Sequence, residues 1–202
     1  MRIHLIRHGQ TEMNAIQTID TVYPGASLTA KGREQAQALV GRLEGIPFDS
    51  IYVSNLVRTH QTADPLARSR SITPIERDGF REVEAGTWER GCTEFDYKGY
   101  YSTMIRWMQG DLDECMGGGA NGREVLDRYD SAIREIELTR AESVAIVSHG
   151  AVISYWAGLR GAGLTRYHCI ERHLDNTEMC VLEGSLDKGY RALTWMGEPV
   201  TL

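Results

Sequence analysis

The chain has 202 residues, 42% of them hydrophobic, and a formal net charge of −6. That is the size and composition of one globular domain able to bury most of its apolar surface. An acidic balance without a basic stripe argues against a nucleic-acid partner, and no apolar run approaches the ~20 residues that span a bilayer.

Taken in chain order, Arg2–Arg7 predicts a buried strand, followed by a loop through Pro24 and Gly25. A helix is expected to open near Thr29, with Ala36, Leu39, Val40 and Leu43 at helical spacing, and to end at Gly45 with Pro47 beyond it. Ile51–Val53 predicts a short strand. Ser54 is placed to cap the next helix, which carries Leu56, Ala63 and Leu66 on one face. Pro65 inside that pattern predicts a kink or an early stop. Ser71–Glu76 reads as a further strand.

From about residue 79 to 121 the composition changes. Aromatics and glycines dominate, and the stretch reads as a cap-like insertion with a helix near Tyr97–Gln109, lying over the sheet edge. Its aromatics are expected to be core rather than a platform for substrate. Asn121 and Glu124 make a capping box, and Val125, Tyr129, Ile133 and Ile136 a helical stripe behind it. Val144–Ser148 is a second buried strand, with a helix from about Ala151 to Leu159. Thr177–Leu182 and Tyr190–Trp195 read as closing strands around a turn at Gly184–Gly189. Strands alternating with helices imply an α/β fold, a mostly parallel sheet covered on both faces, in a single domain over residues 1–202. The first residues form a strand rather than a leader peptide, so a cytoplasmic location is expected. Cys92, Cys115, Cys169 and Cys180 form no Cys-x-x-Cys pair, and His168, Cys169 and His173 lack a second pair of ligands. Free thiols and no metal site are expected.

Two strands end in the same dipeptide, His8-Gly9 after the first and His149-Gly150 after Ser148. Ligands of open α/β sheets sit just beyond the carboxyl ends of strands. Arg7 stands beside the first histidine, and Arg58 follows the Ile51–Val53 run. Two imidazoles and two guanidiniums converging on one crevice point to chemistry on a phosphate. A neutral imidazole can attack phosphorus, and arginine offers a planar fork of donors for the oxygens. A glycine after the histidine lets substrate or backbone approach closely.

The run Leu5-Ile6-Arg7-His8-Gly9-Gln10-Thr11-Glu12-Met13-Asn14 resembles the signature of the histidine phosphatase superfamily, the phosphoglycerate mutase-like family, in its branch 1. The resemblance continues through Ser27-Leu28-Thr29, Gly32 and Gln35-Ala36, then Ser54 to Arg58-Thr59 with Gln61-Thr62-Ala63. Glu82, Gly86, Trp88 and Glu89, then Val147-Ser148-His149-Gly150 and Asn176-Thr177, follow in order. It implies a phosphoglycerate mutase-like three-layer sandwich with a small helical cap. It also implies a phosphomonoesterase of the histidine acid phosphatase type acting on a small phosphorylated metabolite, with no metal and no cofactor. His8 would be the nucleophile and Glu82 the proton donor, with Glu84 a nearby rival. Arg7, Asn14, Arg58 and His149 would bind the phosphoryl oxygens, His149 as a cation when substrate is bound. His4, His60, His168 and His173 are assigned to structure or surface.

The chain departs from the family pattern at two places. Asp20-Thr21 stands where many members carry Gln-Gly, and an acid there would repel a second anionic group. Gly118-Gly119-Ala120-Asn121 stands where many carry Gly-Gly-Glu-Ser. The alternative reading is a cofactor-dependent phosphoglycerate mutase. Against it stand Asp20 and the scarcity of Lys and Arg between Glu82 and Gly119. A binding module that has lost its chemistry would lack some of Arg7, His8, Arg58 and His149, and all four are present. A dinucleotide-binding fold would need a Gly-x-Gly-x-x-Gly after the first strand, which is missing. A homodimer is a possible assembly.

Overall fold

The computed structural model describes residues 1–201; Leu202, the last residue of the expected domain, lies outside them. Its strands are β1 (Arg2–Arg7), β2 (Ser50–Val53), β3 (Ile75–Glu76), β4 (Ser143–Ser148), β5 (Gly161–Ala162), β6 (Met179–Ser185), β7 (Gly189–Trp195) and β8 (Glu198–Pro199). Its helices are α1 (Glu12–Ala15), α2 (Ala30–Arg42), α3 (Val57–Arg70), α4 (Glu94–Met108), α5 (Gly122–Leu138) and α6 (Gly150–Arg160). One sheet runs in the order β3-β2-β4-β1-β6-β7-β5, with β8 beside β7.

The half that carries the site is parallel: β1 with β4, β4 with β2, and β2 with β3. The other half turns antiparallel where β6 pairs with β1 and then with β7. Met179–Ser185 and Gly189–Trp195 therefore close the sheet as a hairpin against the parallel core; the first starts two residues after the expected Thr177 and runs past the expected turn residue Gly184.

Alternation along β1 and β4 divides the core in two. Ile3, Leu5, Val144 and Ile146 face Val125, Tyr129, Val152 and Tyr155 of α5 and α6. Ile6, Ala145 and Val147 face Leu39, Ala63 and Leu66 of α2 and α3. The result is a sheet between two helical layers. Side chains of the period-2 strands and the 3.6-period helices meet face to face.

The capping box of α5 forms in both halves: Asn121 Oδ1 accepts from Glu124 N at 2.9 Å, and Asn121 N donates to Glu124 Oε2 at 3.0 Å. The helix in the aromatic stretch, α4, starts three residues ahead of the expected Tyr97, because Thr93 and Asp96 make a second capping box. It packs on α6 and on a 3-10 turn at Gly86–Trp88.

Three local expectations are corrected. Ser54 does not cap α3: that helix starts at Val57, and its N-cap, Leu56, has no side-chain bond. Pro65 does not stop α3, which runs on to Arg70. Ala63, Leu66 and Ala67 bury against the sheet, and one fully buried leucine alone is worth roughly 1.5–3 kcal/mol, comparable to the ~3 kcal/mol a mid-helix proline costs. The strand at Ser71–Glu76 shrinks to Ile75–Glu76, since Ser71 is used as the left-handed C-cap of α3 (φ 55°). Among the described residues no helix is long and apolar enough to cross a membrane.

Candidate active site

Register between β1 and β4 sets Arg7 opposite Ser148, so the residues that follow, His8 and His149, leave the sheet side by side. Their ring centroids lie 5.2 Å apart at 61°. Both rings are buried. His8 Nδ1 sits 2.8 Å from the carbonyl of Gly9, so it carries the proton and donates it there. That leaves Nε2 as a bare lone pair. Burial, then Arg58 and Arg7, pushes the His8 pKa well below its ordinary value, so the ring is neutral.

Arg58 lies in the first turn of α3 and crosses to the second imidazole, its Nε donating to His149 Nδ1 at 3.2 Å. The opposite ring nitrogen, Nε2, then donates to Ser54 Oγ at 2.7 Å. His149 is thus held as a neutral acceptor, its pKa pushed well below 6.5 by burial, Arg58 and His8. Ser54, expected at a helix cap, instead orients this ring.

Asp20 is the other partner of Arg58. Its carboxylate lies 3.5 Å from Arg58 Nη1 and 3.2 Å from Arg90 Nη1, and accepts from Ala26 N at 2.8 Å; its carbonyl accepts from Arg58 Nη2 at 3.0 Å. The acid at this departure from the family pattern is charge-paired, and it lines the cavity. Neighbouring Thr21 also lines the cavity, its Oγ1 donating to Glu89 at 2.6 Å.

Arg7 donates from Nη1 to Leu174 O, while its buried Nε has no partner among the described residues. Asn14 Oδ1 accepts from Thr11 N at 3.2 Å and Asn176 Nδ2 at 3.3 Å, which leaves its amide NH2 for the cavity it lines. Glu82 is buried. Its carboxylate caps α6, accepting from Val152 N at 2.8 Å, Ala151 N at 3.2 Å and its neighbour Val83 N at 2.9 Å. Glu84 points elsewhere and pairs with Arg81 at 3.1 Å.

Arg7, His8, Asn14, Arg58 and Glu82 all line one cavity at the carboxyl ends of β1 and β4, and His149 lies buried behind it, against Arg58 and His8. Among the described residues, no three His, Cys, Asp or Glu side chains converge to hold a metal ion. Cys92 and Cys115 are exposed, and Cys169 and Cys180 are buried; all are free thiols. His60 pairs with Glu76 at 2.9 Å, away from the cavity.

Several residues of the cavity wall escaped the sequence reading, among them Tyr97, Tyr100, Tyr101 and His173. The expectation that the cap aromatics are core holds for Trp107 but not for Tyr97 or Tyr101. A signal existed, since Tyr100, Met104 and Trp107 form the buried stripe of α4 and leave Tyr97 and Tyr101 beside it. His173 sits in a loop without periodicity, and nothing local marks it.

Residues 3–196 match the profile of the histidine phosphatase superfamily (branch 1), and the chain belongs to that family. It is 31% identical to the adenosylcobalamin/alpha-ribazole phosphatase of Escherichia coli, over 76% of each chain. It is 29% identical, over 98% of its length, to the PE-PGRS family protein PE_PGRS11 of Mycobacterium tuberculosis, but spans only 37% of that longer protein. Relatives named as phosphatases and as probable phosphoglycerate mutases both occur among its matches. The fold superposes on mycobacterial glucosyl-3-phosphoglycerate phosphatase with a TM-score of 0.77, covering 98% of this chain and 99% of that one at 21% identity.

Proposed function

We propose that the chain hydrolyses phosphate monoesters through a phosphohistidine on His8, without a metal. The observation that carries this is the tautomer of His8: Nδ1–H is spent on Gly9 O, and the bare Nε2 lies in a cavity walled by Arg7 and Arg58. In the first step Nε2 attacks phosphorus and the ester oxygen departs, taking a proton from the Glu82 carboxyl group. Arg7, Arg58 and the Asn14 amide hold the equatorial oxygens as the phosphoryl group transfers, worth several kcal/mol in a dry site. His149 faces the same oxygens once Arg58 turns to them, and the dianion favours its protonated form. In the second step Glu82 takes a proton from water as that water attacks the phosphohistidine, releasing phosphate and restoring His8.

The test is phosphate release from p-nitrophenyl phosphate in excess chelator. Turnover that survives chelation and vanishes in His8→Ala is the expected result; full activity in His8→Ala overturns the reading. Mutase activity is disfavoured because Arg7 and Arg58 are the arginines that line the cavity and, among the described residues, no lysine joins them to hold a bisphosphorylated cofactor. Isomerisation of 3-phosphoglycerate with trace bisphosphoglycerate that outruns phosphate release would reverse that ranking.

A further inference from the structure

We infer that the leaving group this site accepts is an uncharged, ring-bearing alcohol. The inference rests on the phosphatase reading and narrows its substrate class. Two features of the cavity wall support it independently.

The first is charge. Arg7 and Arg58 are both committed to the phosphoryl group, and among the described residues the cavity has no other Lys or Arg in its wall. Its remaining acidic side chains are Asp20, a carboxylate, and Glu82, which under the proposed mechanism holds its proton when substrate binds. Burial and Arg7 lower the pKa of His173, so it adds no cation at neutral pH. A carboxylate or second phosphate on the leaving group would therefore meet like charge without a counter-ion.

The second is shape. Tyr97 and Tyr101 stand one turn apart on α4 with ring planes 14° apart and centroids 6.3 Å apart. The His173 ring joins them, 4.9 Å from Tyr101. The three form an aromatic wall on the cap side of the cavity. The near-parallel planes of Tyr97 and Tyr101, with the His173 ring tilted 45° to Tyr101, suit a flat ring or the apolar face of a sugar ring. Neither tyrosine hydroxyl is bonded to another described residue, so each can hydrogen-bond a neutral polar group on that ring.

The experiment compares kcat/KM for benzyl phosphate, glucose 6-phosphate, glycerol 3-phosphate, 3-phosphoglycerate and O-phosphoserine. All are esters of primary alcohols, so leaving-group basicity is roughly matched and ring and charge are what vary. Benzyl phosphate, glucose 6-phosphate or both should exceed 3-phosphoglycerate and O-phosphoserine by at least tenfold; which of the two leads separates an aromatic from a sugar ring. In Tyr97→Leu and Tyr101→Leu, which keep bulk and lose the ring, the preference for the ring substrate over glycerol 3-phosphate should fall about tenfold. In Tyr97→Phe and Tyr101→Phe it should persist. Equal or better turnover of 3-phosphoglycerate or O-phosphoserine overturns the inference, as does a preference unchanged in the leucine variants. His8→Ala separates the two levels: if it abolishes all turnover while the panel is flat, the substrate class fails and the phosphohistidine reading stands.

Discussion

Arg128 of α5 donates from Nη2 to the main-chain carbonyl of Glu82 at 2.9 Å, and from Nη1 to the carbonyls of Gly79 at 2.7 Å and Arg81 at 2.9 Å. One guanidinium thus pins three carbonyls of the loop that aims the Glu82 carboxyl group into the cavity. Burial and Arg81 lower its pKa to about 10, still far above neutral, so the clamp stays charged. Arg128 is a positioning residue under the proposed mechanism. Arg128→Gln should lower kcat/KM, which reports the phosphoryl-transfer step alone, about 100-fold for benzyl phosphate, because a misplaced group loses its proton-transfer geometry. It should change p-nitrophenyl phosphate far less, since that leaving group departs without a proton. Arg128→Lys should recover part of the loss, and Glu82→Gln should show the same dependence on leaving group. Equal losses on both substrates would reduce Arg128 to a general stabiliser.

The His8 tautomer is directly observable. Long-range proton–nitrogen NMR should find the His8 ring neutral at pH 6 and protonated at Nδ1, because burial and two guanidiniums depress its pKa below 6.5. A protonated Nε2, or titration at or above 6.5, would remove the nucleophile. For the same reason the free-enzyme limb of kcat/KM set by this ring should lie below pH 6.5.

His4 makes a stability prediction separate from catalysis. It is buried on β1 facing Phe48, ring centroids 5.1 Å apart, and neither ring nitrogen has a partner among the described residues. Burial, with Arg2, lowers its pKa to about 4. The unfolded chain takes up this proton near pH 6.5 and the folded chain only near 4, so the stability from the neutral ring is complete above 6.5. It is lost as pH falls from 6.5 toward 4, by up to roughly 3 kcal/mol. His4→Leu should therefore raise Tm more at pH 5 than at pH 8. An equal shift at the two pH values would show that His4 protonates alike in both states.

Gly9 separates His8 from the backbone of α2. A Cβ there would stand 2.6 Å from Gly32 O, and one on Gly32 would stand 2.1 Å from Gln10 O. Gly9→Ala must push these backbones apart, at a cost of about 1–3 kcal/mol in denaturant unfolding. It should also shift His8 and reduce kcat by about 100-fold. Wild-type kcat in a destabilised Gly9→Ala would show that the His8 geometry tolerates that displacement.

The sequence by itself determined what depends on neighbours a few residues apart. The helix start at Asn121 and Glu124 is local, as is the stripe from Val125 to Ile136, and both appear in the fold. The alternation that places Ile3 and Leu5 on one face and Ile6 on the other is local too. The strand ends at His8 and His149 were legible in their apolar runs, and Arg58 and Glu82 through short motifs that resemble the family's; that Arg7, His8, Arg58 and Glu82 share one cavity is what the fold shows. Tertiary structure decided the rest. Only packing took Ser54 from a helix cap to the ring of His149, 95 residues away. Packing also set Asp20 against Arg58, Arg128 beneath Glu82, and Tyr97 and Tyr101 toward the cavity. Each of these contacts is fixed by register and by the angle between layers. Neither quantity is written in the spacing of residues along one element, because spacing assigns a side chain to a face and not to the partner that face will meet.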